Sequence, residues 1–334
     1  MKTRLCELFR IEYPIVSAGM GAVALAELAA AVSEAGGLGT IGLAALSPEM
    51  VHDEIGAARQ LTSKPLAVNV LIPFLRPGLL EAVAAAPIDA VTLFWGDPSE
   101  QIPPFKATGK LVIWQCGSPA EANAAMRAGA DAIIAQGFES GGHVRGETTT
   151  FALIPQVRDA IGDLPMIAAG GIADGRGLAA ALALGADGVA IGTRFLASRE
   201  ASVNPRYKEM IVSAHSDDTV HTKLFDVGWP DAAHRVIRSA VYDEWEEAGR
   251  PESGNRPGEG ATIGTYRRAG IEAPLLKYSV MPPADYIEGD IKNFALYAGQ
   301  SCGLVTEVLT AAEMVRAIIA EARAVISSRL SPLL

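Results

Sequence analysis

From Pro14 to Ser198, short apolar runs rich in Val, Ile, Leu and Ala alternate with longer Ala/Leu/Glu-rich stretches, and each switch is punctuated by Gly, Pro or a polar residue. Short apolar runs without strict alternation suit strands buried on both faces, whereas the longer stretches consist of strong helix formers. The pattern predicts eight strands: Ile15 to Ala18, Leu38 to Ile41, Leu66 to Val70, Ala90 to Phe94, Leu111 to Gln115, Ala132 to Ala135, Met166 to Ala169 and Gly188 to Ile191. Helices are predicted between them, among others over Ala22 to Ala35, Pro48 to Leu61, Pro119 to Ala128 and Gly175 to Leu184. Eight such units joined by short loops predict an α/β fold, a closed parallel (β/α)8 TIM barrel.

After Ser198 the alternation stops, and residues 200–299 become charged, aromatic and interrupted by Pro and Gly. Within them Ala232 to Ala248 reads as an amphipathic helix, and residues 250–260, RPESGNRPGEG, have the composition of a mobile loop. Ala311 to Arg329 reads as the last barrel helix. The expected organisation is therefore a barrel made of residues 1–199 and 300–334, with 200–299 inserted in the last βα unit. Insertions after barrel strands lie over the active face, which predicts a lid; a dimerisation arm is the equal alternative, so a homodimer stays open.

Composition narrows the partners. The 334 residues are 49% hydrophobic and 20% charged, enough apolar material for one elaborated domain. With 38 acidic against 28 basic side chains the net charge is −10, which opposes nucleic acid and anionic membranes. Cys6, Cys116 and Cys302 are too scattered for a metal site or a disulfide framework. The N-terminus lacks a signal-peptide core and no stretch is long enough to span a bilayer, so a reduced, cytoplasmic setting is expected.

Candidate chemistry gathers at predicted strand ends. Gly170-Gly171 follows the seventh strand and Ala190-Ile191-Gly192-Thr193 ends the eighth. Loops at these two places are the usual phosphate cradle of the architecture, because glycine lets backbone N–H groups approach an anion; tight barrel turns are the bland alternative. The sixth strand runs into Gln136-Gly137-Phe138-Glu139-Ser140-Gly141-Gly142-His143, where His143 could abstract a proton from carbon or donate a hydrogen bond to an anion. Met20 and Gly21 end the first strand, Asn69 interrupts the third and Gln115 ends the fifth. Phe74, Trp95 and Phe138 are candidate cavity walls, whereas His52, His215, His221 and His234 read as surface or packing residues.

The motifs PIVSAGMG, AVNV, AQGFESGGH, AAGGIADGRG, AIGTRFLAS and YAGQSCGLV, in this order along nearly the whole chain, resemble the nitronate monooxygenase family, formerly called 2-nitropropane dioxygenases. AAGGI is shared by many FMN barrels; QGxExGGH is narrow to this group and its close relatives. The resemblance implies FMN as cofactor, held at Asn69, Gln136, Gly141, Gly171, Ala190, Ile191, Gly192 and Thr193, with Met20 and Gly21 beside the ring and His143 as catalytic base. Ser140 and Cys302 replace smaller residues of the family, which bears on pocket shape. The implied reaction is oxidation of alkyl nitronates or nitroalkanes by O2 to carbonyl compounds and nitrite. The alternative is an NAD(P)H-dependent FMN reductase of the quinone reductase or enoyl-ACP reductase type.

Overall fold

A computed structural model describes residues 1–44 and 46–333. Eight parallel strands form one sheet: β1 (Ile15–Ser17), β2 (Gly39–Gly42), β3 (Leu66–Leu71), β4 (Ala90–Phe94), β5 (Leu111–Cys116), β6 (Ala132–Gln136), β7 (Met166–Ala169) and β8 (Gly188–Ile191). Consecutive strands pair from β2 to β8, β8 pairs β1 with Ile15 opposite Val189, and a bridge from Val16 to Leu38 brings β1 back to the start of β2. The sheet thus closes into the predicted (β/α)8 barrel, with every strand placed as its apolar run predicted, three of them residue for residue and the others within one residue at either end.

Alternation along each strand sorts the side chains into two sets. Outward-facing Ile15, Ile41, Val68, Val91, Val112, Ile133, Ala168 and Val189 join the helices in one apolar layer. Inward-facing Val16, Ala67, Ala90, Ile113, Ala132, Ile134, Ile167, Ala169 and Ala190 fill the barrel, and Leu5, Phe9 and Ile11 of the N-terminal segment plug its lower end. Burying each Val, Leu or Ile contributes about 1.5–3 kcal/mol, so this two-layer pattern supplies the main drive to fold. One step above the interior layer the inward positions become polar: Thr40, Asn69, Thr92, Gln115 and Gln136 border a cleft at the strands' C-terminal ends.

The helices follow local signals. Pro48–Leu61 starts after Ser47, whose hydroxyl accepts from the Met50 N–H, and Gly175–Ala183 starts after Asp174, whose carboxylate accepts from the Gly177 N–H. The final helix, Ala311–Val325, opens with a Thr310/Glu313 capping box and packs on Gly175–Ala183. Beneath the barrel, Asp187 is bound by both Arg4 and Arg158, tying the first helix to the seventh unit.

Residues 200–299 depart from the sequence reading in two places. Ala232 to Ala248 is not one helix: His234–Ile237 is a strand, paired with Thr219–Thr222 on one side and Gly142–His143 on the other, and only Ala240–Glu247 is helical. Pairing with two partners far away in sequence outweighs the local periodicity. Residues 250–260, expected to be mobile, are pinned by Arg256. Its buried guanidinium bonds Asp226, Glu259 and the Leu224 carbonyl, and lies 4.2 Å over the Tyr278 ring. The rest of the segment is an antiparallel hairpin, Thr262–Arg268 with Ile271–Leu276, docked on the barrel through an ion pair from Arg268 to Glu54.

Candidate active site

The cleft holds roughly 1480 Å³ including its open mouth. Its floor is the polar ring above the barrel core and its sides are the loops after β1, β6, β7 and β8. Part of its roof comes from residues 200–299, which contribute Tyr207, Trp229, Val280, Met281, Pro282 and Tyr297. Among the described lining residues none is Asp, Glu, Lys or Arg, so a charged ligand there would meet backbone dipoles and neutral side chains.

Several buried polar atoms bordering the cleft have no partner among the described residues: Thr40 Oγ1, Asn69 Oδ1, Gln136 Oε1, Ser140 Oγ and His143 Nε2. Both amides are oriented by their other end. Asn69 Nδ2 donates to the Thr92 carbonyl at 3.3 Å and Gln136 Nε2 donates to the His143 carbonyl at 2.9 Å, which leaves two oxygen acceptors free. Each buried polar atom left unpaired costs about 1–3 kcal/mol, so five around one cleft point to a ligand that would satisfy them.

Glycine shapes the opposite wall. Gly170 and Gly171 sit at φ 102° and 70°, the left-handed region that β-carbons disfavour. Gly141 is fixed by close approach instead: a Cβ there would lie 2.3 Å from the Gly299 nitrogen. This contact lays the segment Tyr297 to Gly303 along the β6 loop, where Gln300 N–H donates to the Glu139 carbonyl and Gly299 N–H to Thr193 Oγ1. Thr193 therefore keeps its own hydroxyl proton to donate.

His143 is held in the two-residue strand Gly142–His143, opposite His234. Its ring stacks on Trp229 with centroids 4.0 Å apart and planes 28° apart; His234 and Tyr297 lie 5.3 and 5.5 Å away. Burial, reinforced by His234, lowers the His143 pKa well below the ordinary value, so the imidazole is neutral at pH 7. His234 is buried in the same way and pushed down to about 4; its Nδ1 bonds the Ala232 carbonyl and its Nε2 accepts from the Phe225 N–H.

Of the residues singled out from sequence, Met20, Gly21, Asn69, Gln136, Gly141, His143, Gly171, Ala190, Gly192 and Thr193 all border this cleft, together with Phe74 and Gln115. Ile191 does not: it faces the outer apolar layer, and its carbonyl accepts from the Ala18 N–H. Trp95 stands behind Trp229, and Phe138 lies on the far side of the small sheet against His221 and Arg235. Sequence reasoning missed Thr40, Thr92, Tyr207, Trp229, Tyr297 and the structural weight of His234. The two threonines carried a usable signal, since they fall at alternate, inward positions of β2 and β4.

A closed barrel with a deep cleft at the C-terminal rim, lined by unpaired polar atoms and a buried histidine, has the layout of a (β/α)8-barrel enzyme. Comparison with known proteins narrows this. The sequence profile described as Nitronate monooxygenase matches residues 2–78 and 76–321. A (3aS,4S,5R,7aS)-5-hydroxy-7a-methyl-1-oxo-octahydro-1H-indene-4-carboxyl-CoA dehydrogenase of Rhodococcus jostii is 32% identical, over 96% of both chains. A protein of Staphylococcus aureus named "Probable nitronate monooxygenase" is 36% identical, over 67% of this chain and 76% of its own length. Among solved structures, FabK from Thermotoga maritima superposes with a TM-score of 0.84 at 37% identity over the whole of both chains. Nitroalkane oxidase from Streptomyces ansochromogenes gives 0.76 at 28% identity, over 97% of this chain and 99% of its own. The chain belongs to the nitronate monooxygenase family, and it is an oxidoreductase of that family.

Proposed function

We propose that the cleft binds FMN and that the protein oxidises alkyl nitronates, or the nitroalkanes they derive from, with O2. The observation that carries the reading is the set of unpaired atoms. Asn69 Oδ1 and Gln136 Oε1 are acceptors suited to the N–H edge of a flavin ring, while Gly171, Gly192 and Thr193 offer backbone N–H groups and a hydroxyl to a phosphate. Met20 and Gly21 would lie beside the ring, and Gly141 and Ala190 close the wall around it. A smooth, uncharged cavity with these groups fits a phosphate-bearing heterocycle, and the relative named as a nitroalkane oxidase supports the substrate class.

FMN held by Asn69, Gln136, Gly171, Gly192 and Thr193 would supply the redox chemistry that couples oxidation of the nitronate to reduction of O2, with carbonyl compound and nitrite as products. The chain's part is binding and proton control. Trp229, Phe74 and Met281 present apolar surface that excludes water from the substrate. For a neutral nitroalkane, neutral His143 accepts the α-proton at Nε2: the C–H bond breaks, its electron pair stays on the nitronate, and the ring becomes imidazolium. For a preformed nitronate no proton transfer is needed, and His143 in its Nε2–H tautomer acts as a hydrogen-bond donor to the anion. Residues 200–299, which place Trp229 and Tyr297, act as a lid on this site.

A second reading, an NAD(P)H-dependent FMN reductase of the quinone or enoyl-ACP type, is favoured by the dehydrogenase relative and by the higher similarity to FabK than to nitroalkane oxidase. Anaerobic mixing separates the two. Bleaching of the flavin by ethyl nitronate alone, with no fast bleaching by NADH or NADPH, supports the monooxygenase; the reverse supports the reductase. His143→Ala lowers turnover of neutral nitroalkane by about 10²-fold or more on this mechanism while leaving FMN bound.

A further inference from the structure

Trp229 comes from the inserted segment, in the turn Gly228-Trp229-Pro230, yet it is almost wholly buried. Its indole lies face to face with His143, and it is backed edge-on by Trp95 at 4.9 Å and Phe74 at 5.2 Å. Trp95 holds φ 74°, a left-handed conformation that is costly for a bulky residue. That cost is spent on placing its ring behind Trp229, with the Arg145 guanidinium 5.5 Å from the Trp95 centroid on the remaining side.

The other groups facing His143 are already engaged. His234 bonds Ala232 and Phe225, and the Tyr297 hydroxyl donates to the Val280 carbonyl at 2.9 Å. Burial pushes the Tyr297 phenol far above its ordinary range, so it stays neutral, as His234 does at pH 7. No carboxylate pairs with the His143 ring among the described contacts, and Nε2 has no partner. What restrains the imidazole laterally is the indole face.

We propose that Trp229 is a positioning residue for His143: its stacked indole fixes the imidazole plane and gives a π surface to the imidazolium formed when Nε2 takes a proton from substrate carbon. The inference rests on His143 acting as the base in the reading above. In that step the substrate C–H bond breaks, the pair remains as the nitronate, and the proton becomes the second N–H of the ring. With no carboxylate to balance the new cation, the electron-rich indole face at 4.0 Å is the nearest stabilising group.

The test compares Trp229→Leu and Trp229→Phe in the flavin-loaded protein with two substrates, neutral nitroethane and preformed ethyl nitronate. Trp229→Leu is expected to lose at least about tenfold more kcat with nitroethane than with the nitronate, any loss from opening the cleft wall being common to both substrates, with Trp229→Phe intermediate. Equal losses with both substrates, or no loss with either, overturn the proposal. If the wild-type protein oxidises neither substrate, the functional reading falls instead. The inference is then decided by nitrogen NMR of the histidine-labelled holoprotein, with His143 assigned from its absence in His143→Gln. A titration midpoint lower by about one unit in Trp229→Leu than in wild type supports the positioning role, and an unchanged midpoint overturns it.

Discussion

His143 and His234 face each other across two strands, both buried and both neutral. An unfolded histidine titrates near 6.5, whereas folded His234 takes up a proton only near pH 4. Between these values the unfolded chain binds more protons, so stability is full above about pH 6.5 and is lost as pH falls toward 4. For His234 alone the loss approaches roughly 3 kcal/mol. Urea unfolding followed from pH 7.5 to 4.5 should show this decline, and His234→Asn should flatten it; an equally steep profile in the variant would show that other groups carry the effect. At this scale the sequence was most informative where chemistry interrupted a pattern. Asn69 stood out as an amide inside an apolar strand, and Gln115 and Gln136 as amides where strands end; in the fold all three border the cleft. Trp229 left no such trace, because its role depends on a long insertion folding back over the rim.

Among the elements, the strap from Tyr297 to Gly303 is fixed to the β6 loop by two glycines whose backbones touch. Gly141→Ala would drive its Cβ into the Gly299 nitrogen and the Ala298 backbone, so the strap must shift. The expected outcome is FMN affinity weakened by about tenfold or more. A fluorescence titration checks it; unchanged affinity would mean the strap does not shape the cofactor site. Arg256 does comparable work in the insertion, with Glu259 held down to about 2 by that guanidinium. Arg256→Leu leaves Asp226 and Glu259 without their cation and should cost roughly 3 kcal/mol, with new protease cleavage within 250–260. Barrel strands and helices were legible because each carries its own period and caps. Strand His234–Ile237 was not, since its identity is set by Thr219–Thr222 and Gly142–His143 rather than by its own residues. The mobile appearance of 250–260 failed for a related reason: one arginine with the right partners orders a loop whose composition argues otherwise.

For the whole molecule, the barrel provides a stable, closed frame whose inner layer is mostly small residues, and the cleft begins where that layer turns polar. Among the described residues no helix is long and apolar enough to cross a membrane, and no cluster of His, Cys, Asp or Glu could hold a metal ion. Fold and most of the proposed site were readable from the order of motifs along the chain, while the roof of the cleft required coordinates. The central claim, that this rim cleft is a flavin site, is tested most directly by titrating the purified, flavin-stripped protein with FMN and following the visible absorption band. The account predicts saturable binding of one FMN per chain, weakened by Gly171→Val and by Asn69→Leu. Failure of the wild-type protein to bind FMN, or binding indifferent to both substitutions, would contradict it.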